Sequence, residues 1–331
     1  MIATATTTTK ALLLLIFYIT TVAKAQPLEG AWDAIQQSFE LIRNNLAGRN
    51  ASPQYNETIQ VMGAGLARTG TGSLHQALNI LGYHTYHMVH VMKNAHQAEL
   101  WAKVAQGQET PQNAMDYVTQ YGGFNATLDW PVIDYLPELL EQYPHAKVIL
   151  TVRDNGMAWA RSMMVLNHLV RLMDAPFSWK YPNPIRLFFP TWAANIHTVR
   201  CYLGTRLASL QWSECELLED SGPILDASWL AEQYDNHVAY IQSLGIPDDR
   251  LLILNAKQGW APLCEFLSKP IPNVPFPHAG ESAFLRRAAS FFQVVLVLWI
   301  PVVMLLLWSL LRRLFGWNKR PTDQEQKVKQ G

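Results

Sequence analysis

Residues 59–73 constrain the fold more than any other stretch of the chain. A short apolar run, Ile59 to Ala64, passes directly into a segment containing Gly63, Gly65, Arg68, Thr69, Gly70, Thr71, Gly72 and Ser73. A helical pattern follows, with Leu74, Ala77, Leu78 and Leu81 on one face and Gly82 at its end. A buried strand that runs through glycines into a helix start is suited to holding an anion. Glycines let backbone N–H groups come close to a ligand, and the helix start adds its partial positive charge. Thr69, Thr71 and Ser73 add hydroxyl donors, and Arg68 offers a forked pair of N–H groups that matches phosphate or sulfate.

Two common uses of such a loop fit poorly. An ATPase or GTPase loop closes with Gly-Lys-Ser/Thr, and no lysine stands beside Gly70 or Gly72. A dinucleotide fingerprint needs a third glycine where Arg68 stands, and a bulky side chain there would crowd the helix against the strand.

Further apolar runs predict strands at 84–88, 126–130, 147–152 and 251–255. Helical patterns cover 94–120 (broken by Pro111), 132–142, 156–173, 191–209, 228–244 and 259–268. This alternation predicts an α/β domain over residues 58–280, a three-layer αβα arrangement with a central parallel sheet and a P-loop-type phosphate site. Ligands in such sheets sit at the carboxyl ends of the strands, so the loops at 65–73, 129–131 and 153–156 are expected to face one crevice. The segment 175–190, rich in proline and aromatic residues, reads as a loop that shapes an acceptor site.

Several short runs in this domain together resemble one family. They are the loop Gly63 to Ser73; Tyr86-His87-Met88; Asp129-Trp130-Pro131; Lys147 to Asp154; Asp249 to Leu252; Lys257 and Gly259 with Trp260, Pro262, Leu263, Cys264, Phe266 and Leu267; and Pro275 to His278. Their order and spacing resemble the P-loop sulfotransferase superfamily, in particular a branch with Gly-x-Gly-x-x-Arg-Thr-Gly-Thr-x-Ser. The resemblance implies transfer of a sulfuryl group from the nucleotide PAPS, without a metal, to a hydroxyl or amine acceptor whose class stays open. It also implies that Arg68, Thr69, Gly70, Thr71, Gly72 and Ser73 hold the 5′-phosphosulfate, that Arg153 and Ser162 bind the 3′-phosphate, and that Lys257 and Gly259 lie in a loop closing over the nucleotide. Ser162 follows Arg153 by nine residues, one more than in the pattern it resembles. Asp129 is the first choice for the base that deprotonates the acceptor and His87 the second, with Arg68 neutralising charge on the leaving group. Two alternatives stay open: a kinase-like or nucleotide-hydrolysing P-loop enzyme, and an inactive membrane-anchored binding protein of the same fold.

The two ends of the chain point to a membrane. Residues 1–25 read as a signal peptide, with Lys10 before an apolar run and small residues up to Ala25. Residues 26–57 read as an amphipathic helix over 30–47 and a linker. Phe291 to Leu311 carries no charge across 21 positions, and a bilayer core needs about 20. Arg312, Arg313, Lys319 and Arg320 follow, which places residues 312–331 in the cytosol. The expectation is one C-terminal transmembrane helix at 291–311 behind a juxtamembrane segment 281–290. The chain is then a single-pass type I protein of the Golgi or plasma membrane, with its domain lumenal or extracellular. Sequons at Asn50, Asn56 and Asn125 agree with that side. Three cysteines exclude complete pairing within the chain and leave a Cys201–Cys215 bridge open. With 26 basic and 26 acidic residues the net charge is zero, which removes duplex nucleic acid as a partner.

Overall fold

The computed structural model describes residues 55–174, 190–201, 226–278 and 281–314. The expected signal peptide (1–25), the helix at 30–47 and the sequon asparagine Asn50 lie outside them, as do the 175–190 loop except Pro190 and the cytosolic tail 312–331 beyond Leu314.

Five parallel strands form the centre: β1 (Val61–Gly63), β2 (Thr85–Tyr86), β3 (Ala126–Thr127), β4 (Lys147–Val152) and β5 (Leu251–Asn255), in the order β2-β3-β1-β4-β5. β1 is central. Its Val61 lies opposite both Ala126 and Lys147, and its Gly63 lies opposite Ile149. The chain leaves β1 for one side of the sheet and returns to its other side with β4, so β1 marks a topological switch point. Open α/β sheets bind ligands there.

The two-residue alternation along a strand divides the core into two layers. Val61 and Ile149 face one cluster, with Leu74, Ala77 and Leu78 of α1 (Thr71–Ile80) and Leu263 and Leu267 of α9 (Trp260–Leu267). Met62, Val148 and Leu150 face the other cluster. It takes Trp101 of α3 (Ala95–Ala105), Trp159 and Met163 of α6 (Gly156–Asp174), and Leu230 and Tyr234 of α8 (Ala227–Ser243). The expected helix, sheet and helix layers are therefore present. β5 closes one edge of the sheet, and its Ile253 is exposed.

Three local expectations change. The second strand is only Thr85–Tyr86, because His87 caps a short helix α2 (Met88–Lys93) instead of extending the strand. Pro111 starts a helix rather than breaking one. α3 ends at Ala105, and α4 (Pro111–Gly122) begins with Thr110 as its cap, the hydroxyl accepting from Asn113 N at 3.2 Å. Proline costs nothing at a first helical position, where its N–H would have no partner anyway. The 132–142 helix opens as a 3₁₀ turn, Val132–Tyr135, before α5 (Leu136–Gln142). Helix α7 (Pro190–Cys201) packs on α3, and Cys201 is disulfide-bonded while Cys264 is a free, buried thiol.

The expected membrane span is not borne out by the structure. Counting only described residues, no helix is long and apolar enough to cross a membrane. Residues 291–311 do lie within one continuous helix, α10 (Glu281–Leu314), of 34 residues with Pro301 inside it. Its first half packs on α6, where Gln293 contacts His168 at 3.2 Å and Ala289 is buried. Its second half exposes Met304, Leu305, Leu307, Trp308 and Leu311. The Asn125 sequon is built into the sheet. Its amide oxygen accepts from His84 N at 2.9 Å, its nitrogen reaches Glu57, and Thr127 is fully buried.

Candidate functional site

The glycine loop leaves the carboxyl end of β1, and its carbonyls are tied back into the protein. His237 on α8 meets the Ala64 oxygen at 2.7 Å through Nε2, and Trp159 Nε1 donates to the Ala67 oxygen at 2.8 Å. Thr69 Oγ1 donates to the Leu66 oxygen at 2.6 Å, and Arg153 Nε donates to the Arg68 oxygen at 2.7 Å. With these carbonyls drawn inward, the turn runs directly into the start of α1. Gly70 enters that helix at φ 110° with no side chain capping it, and the first turn carries no acidic residue. Gly65 is required by close approach. A Cβ there would lie 1.9 Å from Thr151 Oγ1 and 2.8 Å from the Thr151 carbonyl. Thr69 and Thr151, hydroxyl to hydroxyl at 2.5 Å, fill that space.

Arg68 itself is buried and sits in the left-handed region at φ 73°. Holding a non-glycine residue there costs roughly 1–3 kcal/mol, which surrounding contacts must offset. Arg153, directly after β4, supplies one of them. Its backbone N–H donates to the Tyr234 hydroxyl at 2.8 Å, and Tyr234 stacks on Trp159. The two arginines then meet at one hydroxyl: Arg68 Nε stands 3.2 Å and Arg153 Nη2 3.3 Å from Ser162 Oγ. The structure thus brings together Arg68, Arg153 and Ser162, and the nine-residue separation leaves Ser162 in place. Two guanidinium groups converging on a serine can offer several N–H donors to a doubly charged anion.

Asp129 follows β3 on the other side of the loop, buried and left-handed at φ 69°. Burial pushes its carboxyl up to about 7, against the opposing pull of the Trp130 backbone N–H and of the Arg68 charge. Its Oδ1 is buried without a hydrogen-bond partner, and its Oδ2 lies 3.2 Å from His87 Nε2. A carboxylate poised near neutrality can take a proton at physiological pH.

Lys257 and Gly259 stand farther out. The turn Ala256–Gln258 lies beside Gly70, whose added Cβ would come 3.1 Å from Ala256 Cβ. Lys257 is largely exposed and pairs with Asp154, which also accepts from Asn255 Nδ2 at 3.0 Å. The partner of Asp154 is therefore Lys257, and the Arg153 side chain is directed to Arg68 and Ser162. Gly259, at φ 70°, starts α9. Among the described residues no group of His, Cys, Asp and Glu is arranged to hold a metal ion.

A family model for the sulfotransferase domain matches residues 60–285. The chain belongs to the sulfotransferase-domain family. A curated relative is similar to it over most of both chains. "Ava biosynthesis cluster protein M" of Aspergillus versicolor is 32% identical over 228 residues, which cover 68% of this chain and 82% of the relative.

Within this sulfotransferase domain, Tyr234, Trp159 and His237 are the site residues that sequence reasoning missed. All three hold the arginine-bearing loops from behind. Tyr234 and His237 lie three positions apart on α8, where the sequence shows only the apolar stripe of a packing helix.

Proposed function

We propose that this chain is a PAPS-dependent sulfotransferase that passes a sulfuryl group to a hydroxyl or amine acceptor. The observation that carries this reading is the convergence of Arg68 and Arg153 on Ser162 beside an uncapped helix start. An adenosine bisphosphate carries two anionic ends, and the chain offers two places for them. The turn Thr69 to Ser73 suits the 5′ end, and Arg153 with Ser162 suits the 3′-phosphate. Lys257 and Gly259 edge the nucleotide site beside Gly70.

The donor supplies a sulfuryl group on a bridging oxygen that leaves with the nucleotide. Asp129 Oδ1 takes the acceptor's proton as the new sulfur–oxygen or sulfur–nitrogen bond forms. The bond from sulfur to the bridging oxygen breaks, its electron pair stays on that oxygen, and Arg68 and the loop N–H groups stabilise the resulting charge, so PAP leaves as the anion. Positioning and charge stabilisation supply most of the acceleration, as in phosphoryl transfer.

Calorimetry of the full chain in detergent with PAP, ATP plus Mg²⁺, and NAD tests the reading. PAP binding without added metal is the expected result. Metal-dependent ATP binding in its place would favour a kinase-like or hydrolysing enzyme. PAP binding without transfer to any of a broad acceptor panel would favour an inactive binding protein.

We further propose that residues 291–311 hold the domain at the lumenal or extracellular face of a secretory membrane, Golgi or plasma membrane. The uncharged run and the exposed apolar side chains of α10 support this, since apolar surface of that extent calls for a cover. The disulfide at Cys201 agrees, because disulfides persist in oxidising compartments. Co-sedimentation with membranes, with the domain shielded from added protease until detergent is present, is the expected result. A chain that stays in the supernatant, or a domain cleaved in intact vesicles, overturns it.

A further inference from the structure

The sheet ends one residue short of Arg153. Val152 pairs with Asn255 of β5 as the last rung of β4, and Arg153 is the first residue beyond it. Backbone groups just past a ladder need partners from elsewhere. Tyr234 of α8 serves both: its hydroxyl accepts the Arg153 N–H at 2.8 Å and donates to the Arg153 carbonyl at 3.4 Å. The second contact is long, so the first carries most of the clamp. Burial raises the pKa of the phenol, which therefore keeps the proton it donates.

Two packing features bring Tyr234 to that place. Gly156, the first residue of α6, lets α8 come close. A Cβ there would stand 2.6 Å from the carbonyl oxygen of Ala231, one helical turn before Tyr234. Tyr234 itself is buried, and its ring stacks on Trp159 of α6 with centroids 5.5 Å apart. The two stacked residues serve different loops. Trp159 Nε1 donates to the Ala67 carbonyl in the glycine loop, whereas the Tyr234 hydroxyl bonds the backbone of Arg153. From that backbone the Arg153 side chain reaches two targets, the Arg68 carbonyl at 2.7 Å and Ser162 Oγ at 3.3 Å. A guanidinium recognises phosphate through a rigid fork of N–H groups. Its aim therefore depends on contacts behind it, which hold a binding residue to within about 0.5 Å.

We propose that Tyr234 is a positioning residue that sets the preference for a nucleotide with a 3′-phosphate, its hydroxyl fixing the Arg153 backbone so that the guanidinium meets that phosphate. The inference rests on the sulfuryl-transfer reading for the identity of the nucleotide. Within the stacked pair, Tyr234 then serves the 3′ end and Trp159 the 5′ end.

Calorimetry of the full chain in detergent, with PAP and with adenosine 5′-phosphate, which lacks the 3′-phosphate, tests it. Tyr234→Phe keeps the ring and removes the hydroxyl. It is expected to weaken PAP by about 3- to 10-fold, the span of one neutral hydrogen bond, and adenosine 5′-phosphate by less than about twofold. The second nucleotide also shows that the variant is folded. In an Arg153→Ala background Tyr234→Phe should change PAP affinity by less than about twofold, because the two residues act as one unit. Trp159→Phe, which removes the N–H behind the glycine loop, should weaken both nucleotides alike, by about 2- to 10-fold. Hydrogen exchange without nucleotide reads the clamp itself: the Arg153 amide should exchange about tenfold faster in Tyr234→Phe. An unaltered PAP affinity in Tyr234→Phe, equal losses for the two nucleotides, an undiminished effect in the Arg153→Ala background, or an unchanged Arg153 exchange rate overturns the proposal. Wild type that binds no PAP counts against sulfuryl transfer and removes the phosphate preference with it, while the exchange rates still decide whether Tyr234 holds Arg153.

Discussion

Replacing Arg153 by alanine tests the two-anion site most directly. The guanidinium donates to the Arg68 carbonyl at 2.7 Å and reaches Ser162 Oγ at 3.3 Å, so the change removes a charge and loosens a strained turn together. Measuring two nucleotides separates these effects. Unit charges about 4 Å apart at an effective dielectric near 20 attract by about 4 kcal/mol, and hydrogen bonds to charged groups contribute roughly 1.5–3 kcal/mol. Loss of about 2–4 kcal/mol is therefore expected for PAP, roughly 30- to 1,000-fold in Kd. Adenosine 5′-phosphate lacks the 3′-phosphate, and its affinity should change by no more than about threefold, within a few tenths to a kcal/mol. Ser162→Ala, which removes one neutral hydroxyl, should weaken PAP by roughly 2- to 10-fold. Isothermal calorimetry of both variants gives all four comparisons, and thermal melts check folding. Equal losses for the two nucleotides would mean that Arg153 acts only by bracing Arg68, and an unchanged PAP affinity would refute the two-anion geometry itself.

Three further outcomes follow from the same contacts. Asp129→Asn should lower transfer by at least about 100-fold while leaving PAP affinity intact, and wild-type activity should rise with pH through about 7 as the carboxyl ionises; steady-state rates with radiolabelled PAPS measure both. Burial holds His75, His90 and His237 near 4 in the folded chain. The unfolded chain protonates them from about pH 6.5 downward, so their contribution to stability is lost as pH falls from there to about 4. Asp129, raised to about 7, works in the opposite direction across that window. The net is an uptake of protons on unfolding, so stability falls with pH across that window, and urea melts at pH 5 and 6 that show no acid weakening would contradict it. Gly65→Ala should destabilise the domain by about 1–3 kcal/mol or more through overpacking, because the new carbon meets Thr151 Oγ1 and the Thr151 carbonyl. Adding Thr151→Ala should recover only part of the melting temperature, since the carbonyl contact at 2.8 Å remains.

The layered sheet was legible in the sequence because buried parallel strands appear as short apolar runs, and those of β1, β4 and β5 stand between clear helical stripes. The loop from Arg68 to Ser73 was legible because few other structures need glycines, hydroxyls and an arginine at that spacing. Short strands were less so. β2 and β3 pair over only two residues each, too few for a two-residue period to show, so the neighbouring His87 and Asp129 were assigned to strand ends when they occupy a helix cap and a left-handed turn. The roles of Tyr234, Trp159 and His237 were invisible. Each is a large residue on an amphipathic helix, and only the fold shows that its polar atom ends on a loop carbonyl or a backbone N–H. The pairing of Lys257 with Asp154 likewise spans about a hundred positions, beyond the reach of any local pattern.

The anchoring of the Ala64, Leu66, Ala67 and Arg68 carbonyls has a kinetic corollary. A cradle already rigid before its guest arrives spends little free energy on ordering, and it does not relax when the reaction is over. The spent nucleotide keeps both phosphates and so keeps nearly every contact the donor made. On the proposed reading, catalysis by this chain is throttled by its own by-product, and sustained flux depends on some other activity that clears PAP from the same compartment.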